Sequence, residues 1–178
     1  MNADDFPAAA SRLCTACGMC CDGTMFQIVK LQPGDSAAEL GRLGLKIRSR
    51  GGAFHMEQPC AALKELRCTV YDKRPTRCRL FHCQQLRLLE TNETTETAAM
   101  SLILKARAQV AQVRDLIEQN GLREDGQALQ DRFERVMSTP VDATLEPELA
   151  EVREALDQAM RQLRLVINRE FRPPPLSK

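Results

Sequence analysis

All eight cysteines of this 178-residue chain lie between positions 14 and 83, in two tight groups. The first group is Cys14-Thr15-Ala16-Cys17-Gly18-Met19-Cys20-Cys21. The second is Cys60, preceded by Pro59, then Cys68, Cys78 and Cys83. Thiolates bunched at such spacing are soft metal ligands. Cys14, Cys17 and Cys20 recur with two residues between them, as do three ligands of a cubane iron–sulfur cluster in bacterial ferredoxins, whose remote fourth cysteine is followed by a proline. Cys60, beside Pro59, or one of the later cysteines can supply that fourth sulfur, and the same spacing serves zinc equally well. Neighbouring side chains diverge along a regular backbone. Cys20 and Cys21 should therefore feed two different sites, or one of them should be a spare, reactive thiol. Spacing alone does not sort the eight sulfurs into two sets of four.

Other residue types around the cysteines add detail. Arg67, Lys73, Arg74, Arg77 and Arg79 face only Asp72 in the stretch up to Cys83. Their field is expected to lower the thiol pKa values, although a solvated basic helix face reads as easily. His82, beside Cys83, can replace one sulfur, but eight cysteines favour a supporting or surface role for it. Tyr71, the sole tyrosine, is expected to pack under the metal site with its hydroxyl on backbone. Gly18 is expected to let backbone amides turn toward a metal-bound sulfur. No glycine-rich phosphate loop or nucleophile elbow is present. No carboxylate is assigned an acid–base role, and whether the chain is an enzyme is left open.

Lys and Arg number 25 against 24 Asp and Glu, a formal net charge of +1. That balance argues against a nucleic-acid or membrane-surface protein, and aromatic stacking residues are nearly absent from the basic stretch. Neither an export signal nor a membrane span is legible. The expectation is a cytoplasmic protein, where reducing conditions favour metal ligation over disulfides. Eight thiolates would take the net charge from +1 to −7, and two divalent ions would return it to −3.

The elements that must position these cysteines divide the chain in two. Residues 1–13 read as a short, frayed leader. Phe26 to Leu31 alternates as a strand does. Pro33-Gly34-Asp35-Ser36 is a turn capping a short helix through Leu43, closed by Gly44. Further strands are expected around Leu45–Ile47 and Ala53–Met56, and one helix from Pro75 to about Leu89. This turn-rich half has little core, so metal is its expected staple.

Ala99, Ile103, Ala106, Val110, Val113 and Ile117 mark one apolar face of a helix from Glu96 to Gln119, ended by Asn120-Gly121. A second helix is expected from Gly126 to Met137. A third starts at Pro147, buries Leu149, Val152, Leu156, Ala159, Leu163 and Val166 or Ile167, and stops before the proline run 173–175. Its carboxylates read as a solvated face with i,i+4 pairs around Glu148–Arg153 and Glu154–Arg161. The whole reads as an α+β chain. A small, turn-rich, metal-stabilised cysteine module (1–89) packs on a C-terminal three-helix region (90–178). A homodimer through the helical half is the alternative use of the same apolar faces.

Cys-x2-Cys-Gly-x-Cys-Cys, then Pro-Cys-x2-Leu, then Cys-x-Val-Tyr-x2-Arg-Pro-x2-Cys-Arg-x-Phe-x-Cys, resembles the YkgJ-type cysteine-cluster family. The family is described by a zinc- or iron-chelating domain. The match spans Cys14 to Cys83 and includes Leu63, Tyr71, Arg74, Pro75, Arg79 and Phe81. It implies a metal-binding role for Cys14, Cys17, Cys20, Cys21, Cys60, Cys68, Cys78 and Cys83. Flagellin lysine N-methylases, much longer proteins, carry a related cysteine domain that looks cluster-dependent. Residues and resemblance together point to a metal-binding protein. Its expected cofactor is an iron–sulfur cluster held by cysteines of both groups, with a redox or sensing use. The alternative is a structural zinc module with two thiolate-rich sites, presenting its helices to a protein partner.

Overall fold

The structure, a computed structural model, describes residues 5–123 and 126–174. Residues 1–4 of the expected leader and Pro175 of the proline run lie outside the described residues.

The expected leader is instead a helix. Helix α1 (Phe6–Cys17) starts with Pro7 in its first turn and buries Ala9, Leu13 and Cys17. These residues recur every four positions, so one apolar stripe faces the core. Cys17 belongs to that stripe, and reading it only as a ligand hid the periodicity. Gly18 ends the helix in the left-handed region at φ 65, its N–H donating to Cys14 O at 3.0 Å.

Strands β1 (Ile28–Lys30), β2 (Ile47–Arg50) and β3 (Ala53–Glu57) form one antiparallel sheet in the order β1-β3-β2. Val29 pairs with Met56, and Ile47 pairs with Met56 on the other side, so the three meet on one face. Helix α2 (Ala37–Arg42) links β1 to β2, with the Ser36 hydroxyl accepting from Glu39 N, as the turn sequence predicts. Two-residue strands β4 (Leu63–Lys64) and β5 (Arg67–Cys68) make a minimal hairpin. A core of Leu40, Leu45, Met56 and Ala62 holds this region, with Cys60, Cys68 and Cys78 packed against it.

The single helix expected from Pro75 to Leu89 is broken. A 3-10 turn (Tyr71–Lys73) leads into α3 (Thr76–Leu80), and Pro75 is the N-cap of α3 rather than part of its first turn. The chain turns extended at Phe81, and Cys83 caps the next helix, α4 (Gln84–Glu90). Asp35 supports the start of α3, with Oδ1 accepting from Thr76 N at 2.9 Å and from Thr76 Oγ1 at 2.8 Å.

Helix α5 (Glu96–Gln119) buries the six residues of the predicted stripe. Helix α6 (Leu129–Ser138) starts later than expected, and α7 (Pro147–Val166) runs on into a π-helical turn, Ile167–Phe171. The expected outward i,i+4 pairing is seen in the Glu154–Arg161 neighbourhood but not around Arg153. Arg161 pairs with Asp157 at 2.6 Å, whereas Arg153 donates to Asn120 Oδ1 and Thr139 O. One continuous core joins Leu13 of α1, Met19, Met25 and Leu86 to the buried faces of α5, α6 and α7. The chain is thus α+β, and α1 packs on α5 and α4 within the core shared with α6 and α7. Among the described residues no helix is long and apolar enough to cross a membrane.

Candidate metal centre

All eight cysteines line one cavity of about 1210 Å³. Cys14 and Cys17 sit at the end of α1, and Cys20 and Cys21 lie in the turn that follows. Cys60 is tied to that turn because its N–H donates to Cys21 O at 2.7 Å. Cys68 lies in β5, Cys78 in α3, and Cys83 at the N-cap of α4. The break at Phe81 therefore gives Cys78 and Cys83 separate directions.

The thiols sort by which neighbours oppose their ionisation. Burial comes first for every shifted one, because a thiolate is disfavoured away from water. Cys14 is pushed up to about 11 by burial and by Cys83. Cys17 is pushed up to about 12 by burial, then by Cys83 and Cys14. The Cys20 thiol is raised well above its ordinary value by burial, with Cys17, Cys83 and Cys14 again among its neighbours. Cys21 is pushed up to about 12 by burial and then by Cys60, Cys78 and Cys68. Burial also raises Cys60 and takes Cys78 to about 11, and both feel Cys68. Two sets emerge: Cys14, Cys17, Cys20 and Cys83, and Cys21, Cys60, Cys68 and Cys78. They meet at the Cys20–Cys21 peptide, where Cys20 alone of the first set feels a thiol of the second.

Several details depart from expectation. The basic stretch does not bring the thiols down, since burial outweighs it. Arg74 alone among those cations works the other way, on Cys14 and Cys78, one thiol of each set. Gly18, at φ 65, does let the following amide, Met19 N–H, favour thiolate at Cys17, as expected. Its carbonyl accepts from Cys21 N at 2.8 Å and Asp22 N at 3.0 Å. Other backbone N–H groups, those of Leu86 and Gln85, favour thiolate at Cys83. Tyr71 is not packed beneath the site. It is 57% exposed at the rim, with the Arg74 guanidinium 3.6 Å over its ring and Arg74 Nε donating to its carbonyl. Cys14 is the one cysteine exposed as a residue, although its thiol lines the cavity closely enough for burial to lead its shift. His82 lines the cavity wall near Phe6 and lies 3.5 Å from Glu90, while His55 sits in β3 with a buried, unpartnered Nδ1.

Two close approaches shape the turn between Cys17 and Cys21. A Cβ on Gly18 would come within 2.6 Å of Leu66 Cδ2. Leu66 sits at φ 61 and Glu65 at φ 47, a left-handed tip of the β4–β5 hairpin. Such conformations cost about 1–3 kcal/mol each in residues with a Cβ. That strained tip presses on the first cysteine loop, a contact that residue types alone do not announce.

Asp22, immediately after the double cysteine, was also beyond the reach of spacing arguments. It is only 8% exposed and forms ion pairs with Arg107 at 2.7 Å and Arg114 at 3.1 Å, both from α5. The only sequence signal was position: an acid beside the double cysteine and two arginines beside a buried helix stripe. Lys30, Arg67, Arg74, Arg77 and Arg79 line the cavity, whereas no Asp or Glu does among the described residues. Among those residues, no three His, Cys, Asp or Glu groups are drawn together as one ion would require.

The donor set fits a thiolate-bound centre. Eight soft sulfurs line the one cavity, and their thiolate charge is tolerable there only when a cation joins them. A family model described as "Putative zinc- or iron-chelating domain" matches residues 13–101, half of the chain. No curated protein and no solved structure matches.

Proposed function

The chain belongs to the CxxCxxCC family of zinc- or iron-chelating domains, and from that premise we propose that it is an iron–sulfur protein with two thiolate centres. Cys14, Cys17, Cys20 and Cys83 hold the cluster, and Cys21, Cys60, Cys68 and Cys78 hold the second centre. The observation that carries this reading is that all eight cysteines line one cavity, with Cys17, Cys20 and Cys83 packed against the helical core and Cys60, Cys68 and Cys78 against the small one. The first set has the three-plus-one pattern of a cubane site. Its partners come from both cysteine groups, so neither group alone makes a centre.

A bound cluster would supply one-electron chemistry, its potential set by charge, hydrogen bonds to sulfur and exposure. The chain's own residues contribute those influences. Met19 N and the amides at the start of α4 favour thiolate at Cys17 and Cys83. Four-thiolate centres of either metal are net negative, and the five cations lining the cavity answer that charge with no carboxylate opposing them. A reducing, cytoplasmic setting keeps the thiols available.

Two structural zinc sites are the second reading. It is favoured by the small core of Leu40, Leu45, Met56 and Ala62, which leaves residues 28–78 in need of a staple. Iron, acid-labile sulfide and zinc analysis of anaerobically isolated protein decides between the two. Brown protein containing iron and sulfide is the expected result; colourless protein with stoichiometric zinc removes the iron–sulfur reading. Cys83→Ser should abolish the cluster and leave the second centre, whereas Cys60→Ser should do the reverse.

A further inference from the structure

The Cys20–Cys21 peptide gives one thiol to each set, so whatever fixes it fixes the two sets relative to each other. Its N–H and the polar groups of the next peptide are bound. Gly18 O takes the amides of Cys21 and Asp22, and Cys21 O takes the amide of Cys60. The next side chain, Asp22, is a buried carboxylate, which is costly away from water without partners. Its partners come from the far half of the chain. Asp22 Oδ2 accepts from Arg107 Nη1 at 2.7 Å and Arg114 Nη2 at 3.1 Å. Oδ1 accepts from Thr24 N at 3.0 Å.

Arg107 and Arg114 are two turns apart on α5, each next to a buried residue of its stripe, Ala106 and Val113. Their side chains are 27% and 28% exposed, so the stems are held by the helical core while the heads reach the loop. Arg114 keeps a buried Nε without a partner to do so. The same loop takes two further bonds from the helical half, Leu129 N to Gly23 O and Arg172 Nη2 to Met25 O. The bidentate pair of Arg12 with Glu96 also joins α1 to α5, but it is exposed and away from the double cysteine.

We propose that Arg107 and Arg114, acting through Asp22, are positioning residues that hold the Cys20–Cys21 junction and so preserve both thiol sets together. The proposal rests on the two-centre reading for its metal consequence, but not for its effect on the thiols. It makes the helical half a scaffold for the metal half rather than an appendage.

The test uses the full chain, isolated anaerobically, with two readouts. The first is site-resolved alkylation of the metal-free protein by iodoacetamide. The second is metal release from the loaded protein to an external chelator. In Arg107→Gln/Arg114→Gln, Cys20 and Cys21 should alkylate severalfold faster, together. Metal should leave both sets about tenfold faster, the usual scale for lost supporting contacts. Arg107→Lys/Arg114→Lys should return most of the way to wild-type rates in both readouts, and Arg12→Ala should change neither. Helical circular dichroism identifies a variant that has failed to fold, in which case Asp22→Asn replaces it. Wild-type alkylation rates at Cys20 and Cys21, or faster release from one set alone, overturn the proposal. A wild-type chain that binds no metal removes the two-centre reading instead, while the alkylation readout still judges the clamp.

Discussion

The two halves of this chain are held together by different means. From Glu96 to Phe171, long helices bury contiguous apolar stripes, and Ile117, Val113, Leu156 and Leu163 are essentially sealed from water. Between Ile28 and Cys78, short strands and turns enclose only Leu40, Leu45, Met56 and Ala62, and three cysteines complete the packing. An apolar core holds its shape without help, whereas a cavity walled by thiols depends on what the thiols bind. The difference separates stability from function: one half supplies the framework and the other the chemistry.

The sharpest way to break that comparison is to remove metal. Chelation should unfold much of the 28–78 region while α5 and α7 keep their protection. Hydrogen exchange of loaded and stripped protein reads this directly, and equal loss in both halves would erase the distinction. Next in size is Leu163→Ala, in the helical core at 1% exposure. It should cost about 2–5 kcal/mol in denaturant unfolding yet leave metal stoichiometry unchanged while the protein is folded.

Gly23→Ala acts where the halves meet. Gly23 sits at φ 81, and a Cβ there would lie 2.9 Å from Ala128 Cα. The backbone has to shift, at a cost above about 1 kcal/mol, and melting of the loaded protein should fall accordingly. The smallest effect belongs to Asp35. Burial opposes its charged form, but hydrogen bonds from Gln32 and Thr76 outweigh it and hold the carboxyl below its ordinary 3.8. A lowered folded value contributes stability above the unfolded pKa, and that contribution is lost as pH falls through the folded value. The stability gap between wild type and Asp35→Asn should therefore be open at neutral pH and close in acid below about 3.8.

The helical framework was the more legible half, because a 3.6-residue period needs no knowledge of partners. Ala99 to Ile117 announces its buried face outright. The strands around Ile47 and Ala53–Met56 and the Ser36 cap were readable for the same local reason, whereas the β4–β5 hairpin was not. Helix α1 was not, since its stripe is short and ends in a cysteine that also reads as a ligand. Nor was the break at Phe81, because Arg79-Leu80-Phe81-His82 has nothing in it that forbids a helix. The sorting of the thiols depends on chain path: Cys83 returns to the end of α1 while Cys60, Cys68 and Cys78 gather against the small sheet. Only the divergence of Cys20 and Cys21 could be argued locally. The thiol pKa values went the other way from the cationic sequence because burial, unlike charge, is invisible until the chain is folded.

The order of the cysteines along the chain has a consequence for biogenesis. A ribosome releases the chain from its N-terminus, and folding follows that direction. The second set gains its last thiol at Cys78 and the first at Cys83, whereas Arg107 and Arg114 emerge afterwards. On the proposed two-centre reading, the ligand sets would thus be complete while their junction is still unclamped. Metal loading would then have an interval in which the nascent loop is open to a donor, until synthesis of α5 closes it.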